Sequence, residues 1–238
     1  MNKIVLLALC FGLFASVEAA TIEVPAARDT TLIEDPDGAL GNGAGPAVFA
    51  GRTNALTGGV RRSLLYFDLN AALAKPGRAL SLEVEKVAVV LANITESNVT
   101  PREYRLHRVL ADWGEGISSS SGGTGAPAAP KDATWLHTFY PAAFWMHNGA
   151  QFDGEPSARL VVAGPGTYRF EGDGLLRDVH LWMKDPSRNF GWILIGDETA
   201  RQTVRAFASR EYPDAGPRPV LEVIYTENLK ISLPLLRR

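Results

Sequence analysis

Short stretches of alternating apolar and polar residues, each closed by Gly, Pro, Asn or Asp, run through most of this chain. A period of two puts successive side chains on opposite faces of a strand, so such a stretch makes a half-buried strand and not a helix. Residues 61–69 show it best: Ser63, Leu65, Phe67 and Leu69 share one face, and Arg62, Tyr66 and Asp68 the other. The same reading places strands at 21–33, 46–51, 82–92, 103–110, 159–163, 167–171, 190–196, 203–210 and 220–226. The phase slips at Glu85-Lys86, where Leu82 and Val84 share one parity and Val87, Val89 and Leu91 the other. A bulge, or burial on both faces, accounts for the slip. Many short strands with regular turns predict an all-β, jelly-roll-like β-sandwich. Its interior is expected to hold Leu65, Phe67, Val89, Trp192, Leu194 and Val223.

One segment breaks the period. Leu175, Leu176, Val179, Trp182 and Met183 recur at helical spacing, Asp173 can cap the start, and Asp185-Pro186 ends the run. Trp182 and Met183 are then core residues of a single short helix over one end or face of the sandwich. A long loop, 111–157, passes through a Ser, Gly, Ala and Pro stretch and then becomes rich in aromatics. Long loops inside compact domains are uncommon and often carry function.

The amino terminus predicts export. Lys3 precedes an apolar run over residues 4–14, and Val17-Glu18-Ala19 then offers small residues for cleavage after Ala19. The run is too short for a membrane span, which takes about 20 apolar residues. Leu9 stands before Cys10 where a lipoprotein site needs a small residue. The domains read as a signal peptide over 1–19, one β-sandwich over 20–228 and a tail over 229–238. Cys10 is the single cysteine, so no intrachain disulfide forms. The location expected is periplasmic or extracellular. Lys plus Arg (24) nearly balances Asp plus Glu (26), which argues against a nucleic-acid partner, since that needs a basic face.

Catalytic patterns are scarce. There is no Gly-x-Ser-x-Gly, and none of the four histidines, His107, His137, His147 and His180, falls in a His-x-x-x-His pair. Carboxylate pairs such as Glu34/Asp35, Asp112/Glu115 and Asp197/Glu198 are of a kind that any chain contains. The expectation is a protein without a catalytic centre. Calcium is a candidate cofactor: Glu34, Asp35, Asp37 and Asn42 gather hard oxygens in a glycine-rich stretch, although Asp-Pro-Asp-Gly also makes an ordinary turn. Sugar binding is the other candidate. Trp113, Trp135, Tyr140 and Trp145 can stack on sugar rings, and Arg61, Arg205 and Arg210, with Arg52, Arg62 and Lys131, can meet acidic sugars. Aromatics in a long loop also form a satellite core that pins it down.

Several blocks carry a family likeness. These are Asp29-Thr30-Thr31-Leu32 before Glu-Asp-Pro-Asp-Gly; Gly41-Asn42-Gly43-Ala44-Gly45; Phe49-Ala50-Gly51-Arg52-Thr53; and residues 62–69. Residues 106–116 (Leu-His-Arg-Val-Leu-Ala-Asp-Trp-Gly-Glu-Gly), residues 125–140, Asn189-Phe190-Gly191-Trp192 and Phe207-Ala208-Ser209-Arg210-Glu211 follow in order. Together they resemble the bacterial DNRLRE domain family, related to the family 96 carbohydrate-binding modules. The resemblance implies a jelly-roll sandwich on exported proteins, often beside polysaccharide lyases, and for some members binding of alginate-like acidic polysaccharide. The function expected is a non-catalytic carbohydrate-binding module for an acidic polysaccharide. The alternatives are a structural or interaction protein of the cell surface or matrix, and a polysaccharide-degrading enzyme.

Overall fold

The computed structural model describes residues 19–73, 81–97 and 99–228. The leader, apart from Ala19, and the tail at 229–238 lie outside the described residues. The strands are β1 (Ala19–Ile33), β2 (Leu40–Gly41), β3 (Ala47–Arg52), β4 (Val60–Phe67), β5 (Ser81–Asn93), β6 (Arg102–Arg108) and β7 (Ala126–Pro127). They continue as β8 (His137–Phe139), β9 (Ala143–Phe144), β10 (Ala158–Val162), β11 (Gly166–Glu171), β12 (Trp192–Ile195), β13 (Arg205–Ala208) and β14 (Val220–Asn228). The α-helices α1 (Leu69–Leu73) and α2 (Asp173–Lys184) are inserted among them.

The strand pairs are antiparallel and make an all-β sandwich. One layer runs β1, β14, β5, β13, β3, with β11 also on β5; the other runs β1, β4, β12, β6, β10. β1 serves both: Ala19 to Pro25 face β14, and Ala26 to Ile33 face β4. Its register breaks between Ala26 and Arg28, where a bulge bends the strand from one layer to the other. The phase slip read at Glu85-Lys86 is also a bulge. Ile224 faces Lys86, the next residue Tyr225 faces Val84, and Glu85 is skipped in the register.

Between the layers lies the main core. Leu65, Phe67, Val89, Trp192, Leu194 and Val223, expected inside, are all buried there. α2 covers it by laying Leu175, Val179 and Trp182 inward against β5 and β10. Trp182 is core as expected, and Met183 is partly buried against it. The cap expected from Asp173 is not formed. Gly172 is the N-cap, Asp173 is the first helical residue, and no side chain caps the end.

β4 departs from simple alternation, because Leu64 is as buried as Leu65. A second core sits on the outer face of this layer, made by Leu32, Leu64, Ile193 and Ile195 with Val109, Trp113, Ala133, Trp145 and Ala150. The long loop therefore covers one sheet face. Short pairs stiffen it, β2 with β7 and β8 with β9. Among the described residues no helix is long and apolar enough to cross a membrane.

Candidate functional site

Most of the side chains picked for sugar contact belong to the cores. Trp113 has no exposed surface and its Nε1 donates to the Phe190 carbonyl at 2.9 Å; Trp145 is 6% exposed and donates to the Thr134 carbonyl at 3.0 Å. Arg61, 6% exposed, donates to the carbonyls of Gly58, Val60 and Gly123, and Arg205, with no exposed surface, donates to the Thr100 carbonyl. A side chain so enclosed cannot stack on a sugar ring or meet its carboxylate, which corrects the expectation for these four. Loop position does not mean exposure here, because this loop closes a core. Trp135 and Tyr140 are half-buried. The Arg62 guanidinium stands 5.0 Å from the Trp135 ring centroid, and Tyr140 packs edge-on against His137 at 5.0 Å.

The four expected calcium ligands answer to separate partners. Glu34 accepts from the Val60 N–H at 2.8 Å, and Asp35 accepts from the Ala39 N–H at 2.7 Å. Asp37 points to solvent. Asn42 is buried; it donates to the Ala47 carbonyl at 3.0 Å and accepts from the Ser120 N–H at 2.7 Å. This geometry is that of a turn and a loop clamp.

A different set of carboxylates converges. Asp29 on β1, Glu115 in the loop after β6 and Glu211 in the loop after β13 place one carboxylate oxygen each within 4.8 Å of one another. Glu115 is carried by a turn whose next residue, Gly116, has φ 74° and lies so close to Asp132 that a Cβ there would stand 1.5 Å from its Oδ1. That conformation and that approach both demand glycine. The buried Asp132 carboxylate fixes the same turn by accepting from the Ile117 N–H at 2.9 Å and the Ala129 N–H at 2.7 Å. Around the cluster, Arg210 donates to Glu115 at 3.0 Å and to Glu211. The Asp29 N–H donates to Glu115 at 2.8 Å, and the Arg210 N–H donates to Asp29 at 2.7 Å. Burial holds the Asp29 carboxyl well above the usual carboxylate range and raises Glu115 and Glu211 as well. Arg210 thus bears on the carboxylates, with 38% of its side chain exposed. Asp29 and Glu211 escape a reading of the sequence, although both lie in the family-like blocks. Neither carries a local signal beyond being one acidic residue, Asp29 within β1 and Glu211 in the loop after β13.

A polar groove of about 720 Å³ opens where the loops after β3, β5 and β12 meet. Thr53, Asn54, Ser97, Thr100, Arg102, Arg201 and Gln202 line it, with Val204 as the apolar member. Arg102 is held by Asp197 at 2.8 Å. Asp197 in turn accepts from the Thr199 hydroxyl at 2.7 Å and N–H at 3.0 Å, and these bonds lower its pKa, so it stays ionised. Arg102 also borders an adjoining hollow of about 390 Å³ with Arg105, Glu103 and Thr199. The arrangement offers guanidinium, amide and hydroxyl groups to a ligand along one rim of the sandwich.

The histidines are structural where they are buried. His107 shares Nδ1 with the Asp153 carbonyl at 2.8 Å and meets the Phe152 ring edge-on at 5.2 Å. Burial lowers its pKa, aided by Arg105 and Arg159 and opposed by the Asp153 hydrogen bond and carboxylate. The unfolded chain, with a pKa of about 6.5, then takes up the proton first as pH falls. Stability linked to His107 is full above about pH 6.5 and is lost as pH falls through the folded pKa. His107→Asn should flatten this loss, read as the wild-type minus variant stability between pH 7 and 5. A tenfold difference in proton affinity between the folded and unfolded chains is worth about 1.4 kcal/mol. Buried carboxyls with raised pKa, such as Asp178, act in the opposite sense and cancel in that difference. An identical slope in both proteins would exclude His107 as the source.

The sequence matches no protein-family model, and a search of curated proteins finds no match either.

Proposed function

We propose that this chain is an exported, non-catalytic binding protein for an acidic polysaccharide, and that the ligand lies in the groove at Arg102 and Arg201. The observation that carries the reading is the composition of that groove: two guanidinium groups among Thr53, Asn54, Ser97, Thr100 and Gln202. Guanidinium forks pair with carboxylates through two parallel hydrogen bonds, and hydroxyl and amide groups satisfy sugar hydroxyls. Recognition here is ionic and hydrogen-bonded more than stacked, since Trp113 and Trp145 are enclosed. The resemblance to the DNRLRE family supports the same ligand class, and the leader read at residues 1–19 supports export.

The test is affinity electrophoresis of the purified domain in gels holding alginate, pectate or a neutral glucan. Retardation is expected in the two acidic gels and should fade with salt, because exposed charges are screened over about 8–10 Å at physiological ionic strength. Arg201→Ser should weaken retention about tenfold or more, as for loss of a hydrogen bond to a charged group. Its melting temperature should not change, since Arg201 is exposed. No retardation at low salt in either acidic gel would overturn the reading, and so would wild-type retention by Arg201→Ser.

A further inference from the structure

We infer that Asp29, Glu115 and Glu211 form a site for a hard divalent cation, of which calcium fits best, joining β1 to the loops after β6 and β13. The site is separate from the groove and does not rest on it.

Two buried oxygens point to a missing partner. Asp29 has no exposed surface, yet its Oδ1 has no hydrogen-bond partner; its Oδ2 accepts from the Arg210 N–H. Glu211 Oε2 is likewise buried without a partner, while Oε1 takes the Arg210 guanidinium. Buried polar atoms are nearly always satisfied, so two orphans in one cluster call for a ligand.

Charge decides what kind of ligand. Against three carboxylates stands one guanidinium, that of Arg210, which contacts Glu115 and Glu211, while Asp29 takes only the Arg210 backbone N–H. Arg28 lies nearby but donates to Asp112 at 3.2 Å and to the Trp113 carbonyl, and stacks over the rings of Tyr66 and Trp113. Two negative charges are left in a desolvated place, and a divalent cation cancels both.

Donor type and spacing select the ion. The donors are carboxylate oxygens, which suit hard cations. Calcium binds oxygens at about 2.3–2.6 Å in flexible geometry, so ligands across it stand up to about 5 Å apart. The 4.8 Å limit on the observed oxygens is compatible with that range. Glu115 and Glu211 keep 18% and 25% of their side chains exposed, which leaves a path for the ion and for the waters that complete its shell.

The experiment uses the full domain stripped with chelator and titrated with calcium chloride, and separately with magnesium chloride, at pH 7. Calorimetry should show one calcium site. The melting temperature should rise by on the order of 5 °C at a hundredfold excess over Kd. Asp29→Asn keeps an acceptor for the Arg210 N–H but removes one buried charge. It should lose the calcium-dependent rise while melting no lower than wild type in chelator. Glu211→Gln serves as the second variant, with calcium affinity expected to fall at least tenfold. Absence of calcium binding at millimolar concentration overturns the inference and leaves shared protons as the occupant. Wild-type calcium affinity in Glu211→Gln, or a wild-type calcium shift in Asp29→Asn, overturns it equally.

Discussion

Trp192→Ala is expected to cost about 3–5 kcal/mol, the range for truncating a buried tryptophan in a close-packed core. Trp192 has no exposed surface; its ring lies 4.4 Å from that of Trp182 and 6.1 Å from that of Phe67. It therefore joins α2 to the layer that holds β4 and β12. Its Nε1 also donates to Asp178 at 2.8 Å, and Asp178 takes the Ser157 hydroxyl and the Arg108 guanidinium as well. Truncation opens a cavity and removes one donor from a carboxylate whose pKa burial has already raised. Trp192→Phe separates the two effects: it retains most of the volume and loses the donor, so it should cost about 1–3 kcal/mol. Urea unfolding of both variants gives the numbers. A loss under about 1 kcal/mol for Trp192→Ala would contradict the packing described between α2 and the sheets.

Trp113→Ala should bring a loss of similar size, about 3–5 kcal/mol, but with a local signature. Its ring lies in the second core beside Leu32, Leu64 and Ile193, and Nε1 closes a bond to the Phe190 carbonyl. That core attaches the segment 109–152 to the sheet. Its removal should expose the segment to protease before the whole domain unfolds, because sparsely anchored segments open first. Limited proteolysis mapped by mass spectrometry checks the position of the cuts. Polysaccharide retention, measured well below the melting temperature, should stay near wild type. Lost retention with an unchanged melt would instead make Trp113 a sugar platform.

The strands and α2 are legible because each is written in a local period. Residues 61–69 alternate, residues 175–183 repeat at helical spacing, and even the bulge at Glu85 shows as a slip in parity. What covers a strand is not local. Leu64 and Ile193 look solvent-facing by alternation, and only the return of the 109–152 segment buries them. The same return encloses Trp113 and Trp145. Arg61 and Arg205 lie within β4 and β13, and nothing in the alternation shows that an arginine will turn inward onto carbonyls. The groove is invisible for a related reason. Thr53, Thr100 and Arg201 are ordinary polar residues in three loops far apart in sequence, and only the sandwich brings them together. Asp29, Glu115 and Glu211 are likewise far apart in sequence, and only the fold brings β1 and the two loops together.

The crossing of β1 between the layers also sets an order of events. Ala19 faces Thr226 and Pro25 faces Val220, so the first strand of the domain closes on the last one. Pairings between such distant positions are slow to form, because loop-closure entropy must be met before the contacts stabilise anything. A chain that emerges amino terminus first can lay the second half of β1 on β4 early, from residues fewer than fifty positions apart. The first half must wait until residues 220–226 are present. A nascent chain is therefore held open along one edge of β1 until residues 220–226 have been delivered, and only then does the sandwich lock as a cooperative unit.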